Sequence, residues 1–392
     1  MKKHLIAAAV AAAVAVPAAA QVTMTGVLDL SPHSERKTTV GATSVKLAGT
    51  GNENAMGHAA GSRINFNMTE DLGGGLRVDG LLRLRYGSSE GTTGAADDYS
   101  LRLSGGFGAL RLGRFTGFVG NIEAMSGAFA ASTTAGGIGA NASDFIGGSM
   151  STNAATIAAN TGAIAKAAAA AGAGGFDDTT GLIQYVSPSF SGVQVTLDLQ
   201  NRSQDESTNA GKVQVKQTGI GVSYTAGPLQ VQAATSDRSV QGVLALPARA
   251  GAAAATAAAE AAAAAKAEIH WIGANYNFGP ATVFAARATR EDKGIDGALT
   301  DDITLNMVGI QVRQGAFTIF ASMYDGDDKN TNTAGAVATE RRDLSGNQLA
   351  VSYALSKRTS AYAVTGKAED TGATANSNFK RTETAIGLRH NF

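Results

Sequence analysis

The residues with the most chemical potential in this chain are the arginines between positions 63 and 114: Arg63, Arg77, Arg83, Arg85, Arg102, Arg111 and Arg114. A guanidinium keeps its charge at any physiological pH and presents a rigid fork of donors to an oxyanion. Within 76–86 the arginines Arg77, Arg83 and Arg85 share one parity with Asp79, while Leu76, Val78, Leu82, Leu84 and Tyr86 occupy the other. Arg63 sits with Asn65, Asn67 and Thr69, against Ile64, Phe66 and Met68. Like charges gathered on one face concentrate counter-ions and set an ion preference. One such arginine serves equally well as a rim charge or a loop partner; the set is harder to dismiss.

Covalent chemistry has much less to work with. Cys is absent, which excludes a disulfide framework, a thiol nucleophile and thiolate metal ligands. Beyond His4, the histidines His33, His58, His270 and His390 stand in no nucleophile–base arrangement, and no H-E-x-x-H spacing occurs. Gly73-Gly74-Gly75 reads as a turn without the helix that a phosphate-binding loop requires. No enzyme, metal or cofactor is expected from these residues.

The elements that carry the arginines are segments of about ten residues with period-two alternation, the pattern of half-buried strands. Short Gly- and Pro-bearing links (71–75, 105–108, 187–192, 226–228, 278–280, 314–315, 356–357) alternate with long ones (31–59, 88–97, 117–179, 203–212, 239–267, 292–302, 326–342, 370–379). Strict alternation of short turns and long loops is the layout of an antiparallel transmembrane β-barrel. The strands predicted between the links are 22–30, 60–70, 76–87, 98–105, 109–116, 180–187, 192–202, 213–226, 228–238, 268–278, 281–291, 303–313, 316–325, 343–355, 358–369 and 380–392. That is about 16 strands, an even number that returns both termini to one side and is wide enough to leave an aqueous lumen. Residues 154–175 and 248–268 are dominated by Ala and lack strand periodicity; the second reads as a short helix or a disordered insert.

Composition agrees with that architecture. Lys2 and Lys3, an apolar run from Leu5 to Val16, and Ala18-Ala19-Ala20 form a signal peptide expected to be cleaved after residue 20, leaving 21–392 as the barrel domain. Without Lys2 and Lys3 the chain holds 30 basic and 32 acidic residues, a net charge of −2 that argues against a nucleic-acid partner. A mean hydropathy of −0.01 suits a wall whose outer face is apolar and whose inner face is wet.

Several short motifs, in order along the chain, resemble those of general porins from β-proteobacteria, the Neisseria and Bordetella type. Thr69-Glu70-Asp71-Leu72-Gly73-Gly74-Gly75-Leu76 resembles the turn after that family's second strand. Leu103-Ser104-Gly105-Gly106-Phe107-Gly108 with Leu112-Gly113-Arg114, Tyr185-Val186-Ser187-Pro188-Ser189-Phe190, and Tyr353-Ala354-Leu355-Ser356-Lys357-Arg358-Thr359 are similar to its later hairpins. Gly387-Leu388-Arg389-His390-Asn391-Phe392 is similar to its terminus. The links 117–179 and 239–267 are longer and richer in Ala than usual, and the aromatic content of 6% is low.

The resemblance implies an outer-membrane channel for passive diffusion of small hydrophilic solutes and ions, weakly anion-preferring, embedded in outer-membrane lipid as a homotrimer. It implies that the third external loop, about 117–179, folds into the barrel and narrows it. The basic wall of that constriction would be Arg63, Arg77, Arg83, Arg85, Arg102, Arg111 and Arg114, facing Glu123 and Asp144 on the loop. Strict alternation from Leu110 and Leu112 turns Arg114 outward, so its part in the constriction needs a bulge or strand end to redirect it. Phe392 shares a face with His390, Leu388, Ile386 and Thr384; the resemblance makes it the signal read by the barrel-assembly machinery. Alternatives are a substrate-specific channel, an adhesin displaying the Ala-rich loops, or a barrel hydrolase.

Overall fold

A computed structural model describes residues 21–40, 43–45, 62–86, 95–118, 179–206, 211–242, 264–294, 299–331, 340–372 and 379–392. The strands are β1 (Gln21–Val40), β2 (Ser62–Gly73), β3 (Leu76–Tyr86), β4 (Ala95–Gly105), β5 (Gly108–Phe115), β6 (Thr179–Val186), β7 (Val193–Glu206) and β8 (Gly211–Ala226). They continue with β9 (Leu229–Gly242), β10 (Ala264–Asn277), β11 (Ala281–Gly294), β12 (Leu299–Gln314), β13 (Phe317–Thr331), β14 (Glu340–Ala354), β15 (Thr359–Gly372) and β16 (Phe379–Asn391). A three-residue piece, Thr43–Val45, pairs back on Thr38–Val40 as an extension of β1.

Every neighbouring pair is antiparallel, and β1 closes the sheet by pairing with both β2 and β16. At the seam Gly26 N–H donates to the Phe392 carbonyl at 2.9 Å, and Phe392 N–H donates back to the Gly26 carbonyl at 3.0 Å. The Phe392 ring lies over Gly26 where a Cβ would otherwise stand. Closure removes the two free edges that an open sheet would present.

Alternation divides each strand between two surroundings. Leu28, Leu82, Leu101, Leu112, Ile183, Leu199, Ile272, Val308, Leu349 and Ile386 form an exposed apolar band around the outside, with Met323 at 59% exposure. A continuous belt of this kind is the lipid-facing surface of a transmembrane barrel. Aromatic residues gather at its short-turn margin, where Tyr276 and Phe278 rings meet at 4.5 Å and Phe317 and Tyr353 at 4.8 Å. On the loop side, outward positions turn polar and pair across strands: Thr235 with His270 at 2.7 Å, Arg287 with Asn306 at 2.9 Å, and Thr365 with Thr384 at 3.0 Å.

That polar margin explains where the expected strand ends differ from those observed. The ends at the short turns agree within three residues, because Gly-bearing turns mark them directly. Most loop ends run further: β1 reaches Val40 instead of residue 30, and β13 reaches Thr331 instead of 325. Beyond the lipid belt both faces meet water, so alternation disappears while the ladder continues. The Ala-rich stretch expected over 248–268 is corrected for the same reason: Ala264–Glu268 is strand, Lys266–Glu268 pairing with β11 and with β9. Residues 154–175 and 248–263 lie outside the described residues.

Candidate functional site

The inner face of β2–β5 brings six of the seven arginines onto one surface. Register sets Arg63 directly opposite Arg85, Arg102 opposite both Asp79 and Arg111, and Arg83 opposite Asp98. Cross-strand partners share a face, so these side chains project together away from the lipid-facing leucines. Arg77 stands nearest the short turn and is held by Asp79 at 2.6 Å; it is the most exposed of the ion-paired arginines in this group.

Arg111 is held from three sides. Its Nε donates to Ser100 Oγ at 3.0 Å, its Nη2 reaches Asp98 Oδ1 at 3.4 Å, and its guanidinium lies 3.9 Å from the centre of the buried Phe115 ring. Arg83 Nη2 approaches the other oxygen of Asp98 at 3.6 Å. Asp98, Ser100 and Phe115 were not among the candidate residues of the sequence. The signal for Asp98 was available, since it shares the parity of Ser100 and Arg102.

Arg114 is placed differently. It pairs with Tyr99, whose ring is exposed on the outer side, while its neighbour Phe115 is on the Arg111 face. A bulge does occur between Gly113 and Arg114 against β6, yet Arg114 keeps the Tyr99 parity on β4. Glu123 and Asp144 lie outside the described residues.

The chain leaving β5 turns into the barrel. Phe118 N–H donates to Asp198 Oδ2 on β7 at 2.6 Å, and Gln184 Nε2 on β6 holds the other oxygen at 2.9 Å. The Phe118 ring then fills the space over Gly221 on β8, where any Cβ would collide with it. Beyond Gly221 it stacks on Trp271 of β10, with ring centres 5.8 Å apart and planes 12° apart. Gly221 and Trp271 both occupy inward positions, so Thr116–Phe118 crosses the inner face of β6–β8.

Phe118 marks the edge of a second kind of inner wall. Ile269, Trp271, Ala288, Leu305, Met307, Tyr324 and Leu344, contributed by β10–β14, are inward-facing and packed together with almost no exposure. Below them Phe284 and Phe320 stack at 6.2 Å with nearly parallel rings, and Tyr362 and Val364 join the same packing. A lumen lined only by polar residues was the expectation from alternation; this arc is apolar on both faces. Toward the loops the wall becomes charged again, with a buried bidentate Arg290–Asp292 pair at 2.8 Å and an Arg342–Asp370 pair at 2.5 Å. Among the described residues no group of His, Cys, Asp or Glu is arranged to hold a metal ion.

Arginines on one inner arc and packed apolar side chains on another can select by charge without any chemical step. A family model described as Gram-negative porin matches residues 7–373. Among solved structures, the fold is similar to an anion-selective porin from Comamonas acidovorans, with 20% identity, a TM-score of 0.64, and coverage of 95% of this chain and 100% of that one. It is also similar to OmpF of Salmonella typhi, solved in complex with daunomycin (16% identity, TM-score 0.59, 95% and 97% covered). OmpT of Vibrio cholerae, in a trimer form, matches with 13% identity and a TM-score of 0.55 over 95% and 100% of the chains. Comparison with curated proteins by sequence finds no match.

Proposed function

The chain belongs to the Gram-negative porin family and forms an outer-membrane channel, and from that premise we propose that it is a water-filled, weakly anion-preferring route for small hydrophilic solutes and ions. The observation that carries the preference is the inner face of β2–β5, where six arginines stand with three aspartates, Asp71, Asp79 and Asp98. A cation entering such an arc is repelled and an anion is concentrated, without either being bound tightly. The anion selectivity of the Comamonas porin of similar fold supports the same reading.

The path of Thr116–Phe118 across the inner wall supports a third loop, about 117–179, that folds into the lumen and narrows it, with Glu123 and Asp144 facing the arginines. Within this reading Arg63, Arg83, Arg85, Arg102 and Arg111 line the narrowing, Arg77 guards the periplasmic mouth, and Arg114 contributes from the strand end. Homotrimeric assembly is supported by the trimer form of the Vibrio OmpT. The β-proteobacterial type is supported by the ordered turn motifs, and cleavage after residue 20 by the signal-peptide pattern. Phe392 at the seam is the residue the assembly machinery would read.

Reconstitution into planar bilayers tests this reading. Stable conductance steps with a reversal potential favouring chloride in a KCl gradient are expected. Absence of steps, or clear cation preference, would overturn it.

A further inference from the structure

We propose that Asp98 sets the strength of the ion preference, acting as a built-in counter-charge that keeps the arginine arc from holding anions too firmly. This rests on the arginine face being the channel lining. The side chain of Asp98 is 8% exposed and lies between Arg83 and Arg111, each oxygen turned to a different guanidinium at 3.6 and 3.4 Å. The other two aspartates on this arc lie toward the turn: Asp79 is engaged by Arg77, and Asp71, opposite Arg77, accepts from Gly73 N–H. Asp98 is therefore the carboxylate placed among the arginines further along the strands.

Its position separates it from an ordinary stabilising partner. Arg111 is already fixed by Ser100 and by the Phe115 ring, so its orientation does not depend on Asp98 alone. A charge in a water-excluded wall is screened less than one in the open lumen, and its field extends into the channel. Conduction requires a site attractive enough to draw an ion in and weak enough to release it. Two directly opposed arginine pairs, Arg63–Arg85 and Arg102–Arg111, supply the attraction. Asp98 limits it.

The test uses the full-length protein, purified, reconstituted in planar bilayers and measured in KCl gradients. By Coulomb's law in water, removing one negative charge should raise the concentration of an anion passing within about 8 Å about twofold. Asp98→Asn is accordingly expected to raise the anion-over-cation permeability ratio about twofold and to bring chloride current to saturation at lower salt. Asp98→Glu, which restores the charge, should reverse most of that change, and Asp79→Asn should give a smaller rise. An unchanged or lowered ratio in Asp98→Asn, with anion preference intact in the parent protein, overturns the proposal. A parent protein without anion preference overturns the channel-lining reading beneath it. Should Asp98→Asn fail to assemble, the Asp98→Asn, Arg111→Gln double variant is compared with Arg111→Gln alone. A higher anion preference in the double variant supports the role of Asp98; equal ratios refute it.

Discussion

The inner face of β2–β5 and the inner face of β10–β14 belong to one sheet and follow one alternation rule, yet they are built for opposite purposes. The first sets Arg63 against Arg85 and Arg102 against Arg111, a like-charge juxtaposition that destabilises a ladder unless water or counter-ions relieve it. The second seals Ile269, Ala288 and Leu305 from solvent completely and receives the Phe118 ring at its edge. Alternation decides which way a side chain points and leaves its chemistry open. One arc has given up packing for charge; the other contributes the stability that lets it do so.

Breaking the apolar arc should have the largest effect. Leu305→Asp places an unpaired carboxylate in a packed, fully buried position and should cost about 3 kcal/mol or more. Thermal unfolding followed by circular dichroism checks this, and a midpoint within a few degrees of the parent would show that the arc is wetter than its packing indicates. Phe118→Ala removes the stacking partner of Trp271 and should cost roughly 1–3 kcal/mol. Because Trp271 is the sole tryptophan, its emission reports the seat directly and should shift to the red. Unchanged emission would contradict the stack.

The charged arc should respond in selectivity more than in stability. Arg63→Ala with Arg83→Ala is expected to lower the anion-over-cation ratio about fourfold, roughly twofold for each charge, while the barrel still assembles. Reversal potentials measure the first and heat-modifiable gel mobility the second; loss of the barrel with unaltered selectivity in the residual channels would reverse the assignment of roles. Arg77→Ala sharpens the contrast at its small end. Its exposed pair with Asp79 contributes at most about 1 kcal/mol, and its effect on the permeability ratio should be the least of the arginines named here.

Legibility in the sequence followed the physics of each arc. Around Arg77–Arg85 the two faces differ sharply in polarity, so period-two alternation showed both the strand and the direction of its charges. In β10 and β12 it did not: Trp271 beside Ile272 and Met307 beside Val308 read as continuous apolar runs, and the inner member of each pair could not be told from the outer. The loop-side strand ends, polar on both faces, were hidden for the converse reason. Asp98 lay in view on the right parity, but its role depends on which residue of β3 the register sets against it. For Phe118, ten residues beyond the Gly108 turn, no local signal predicts that a ring will cross four strands to reach Trp271.

By itself, then, the sequence determined the barrel, its number of strands, the turn-side strand ends and the inward direction of most of the arginines. These follow from hydrophobic periodicity and turn chemistry, which act over ten residues or fewer. Tertiary structure alone decided that Asp98 sits between Arg83 and Arg111, and that the inner face of β10–β14 is a packed apolar seat. Those outcomes depend on register and closure, which bring together residues far apart in the chain and which no local pattern encodes.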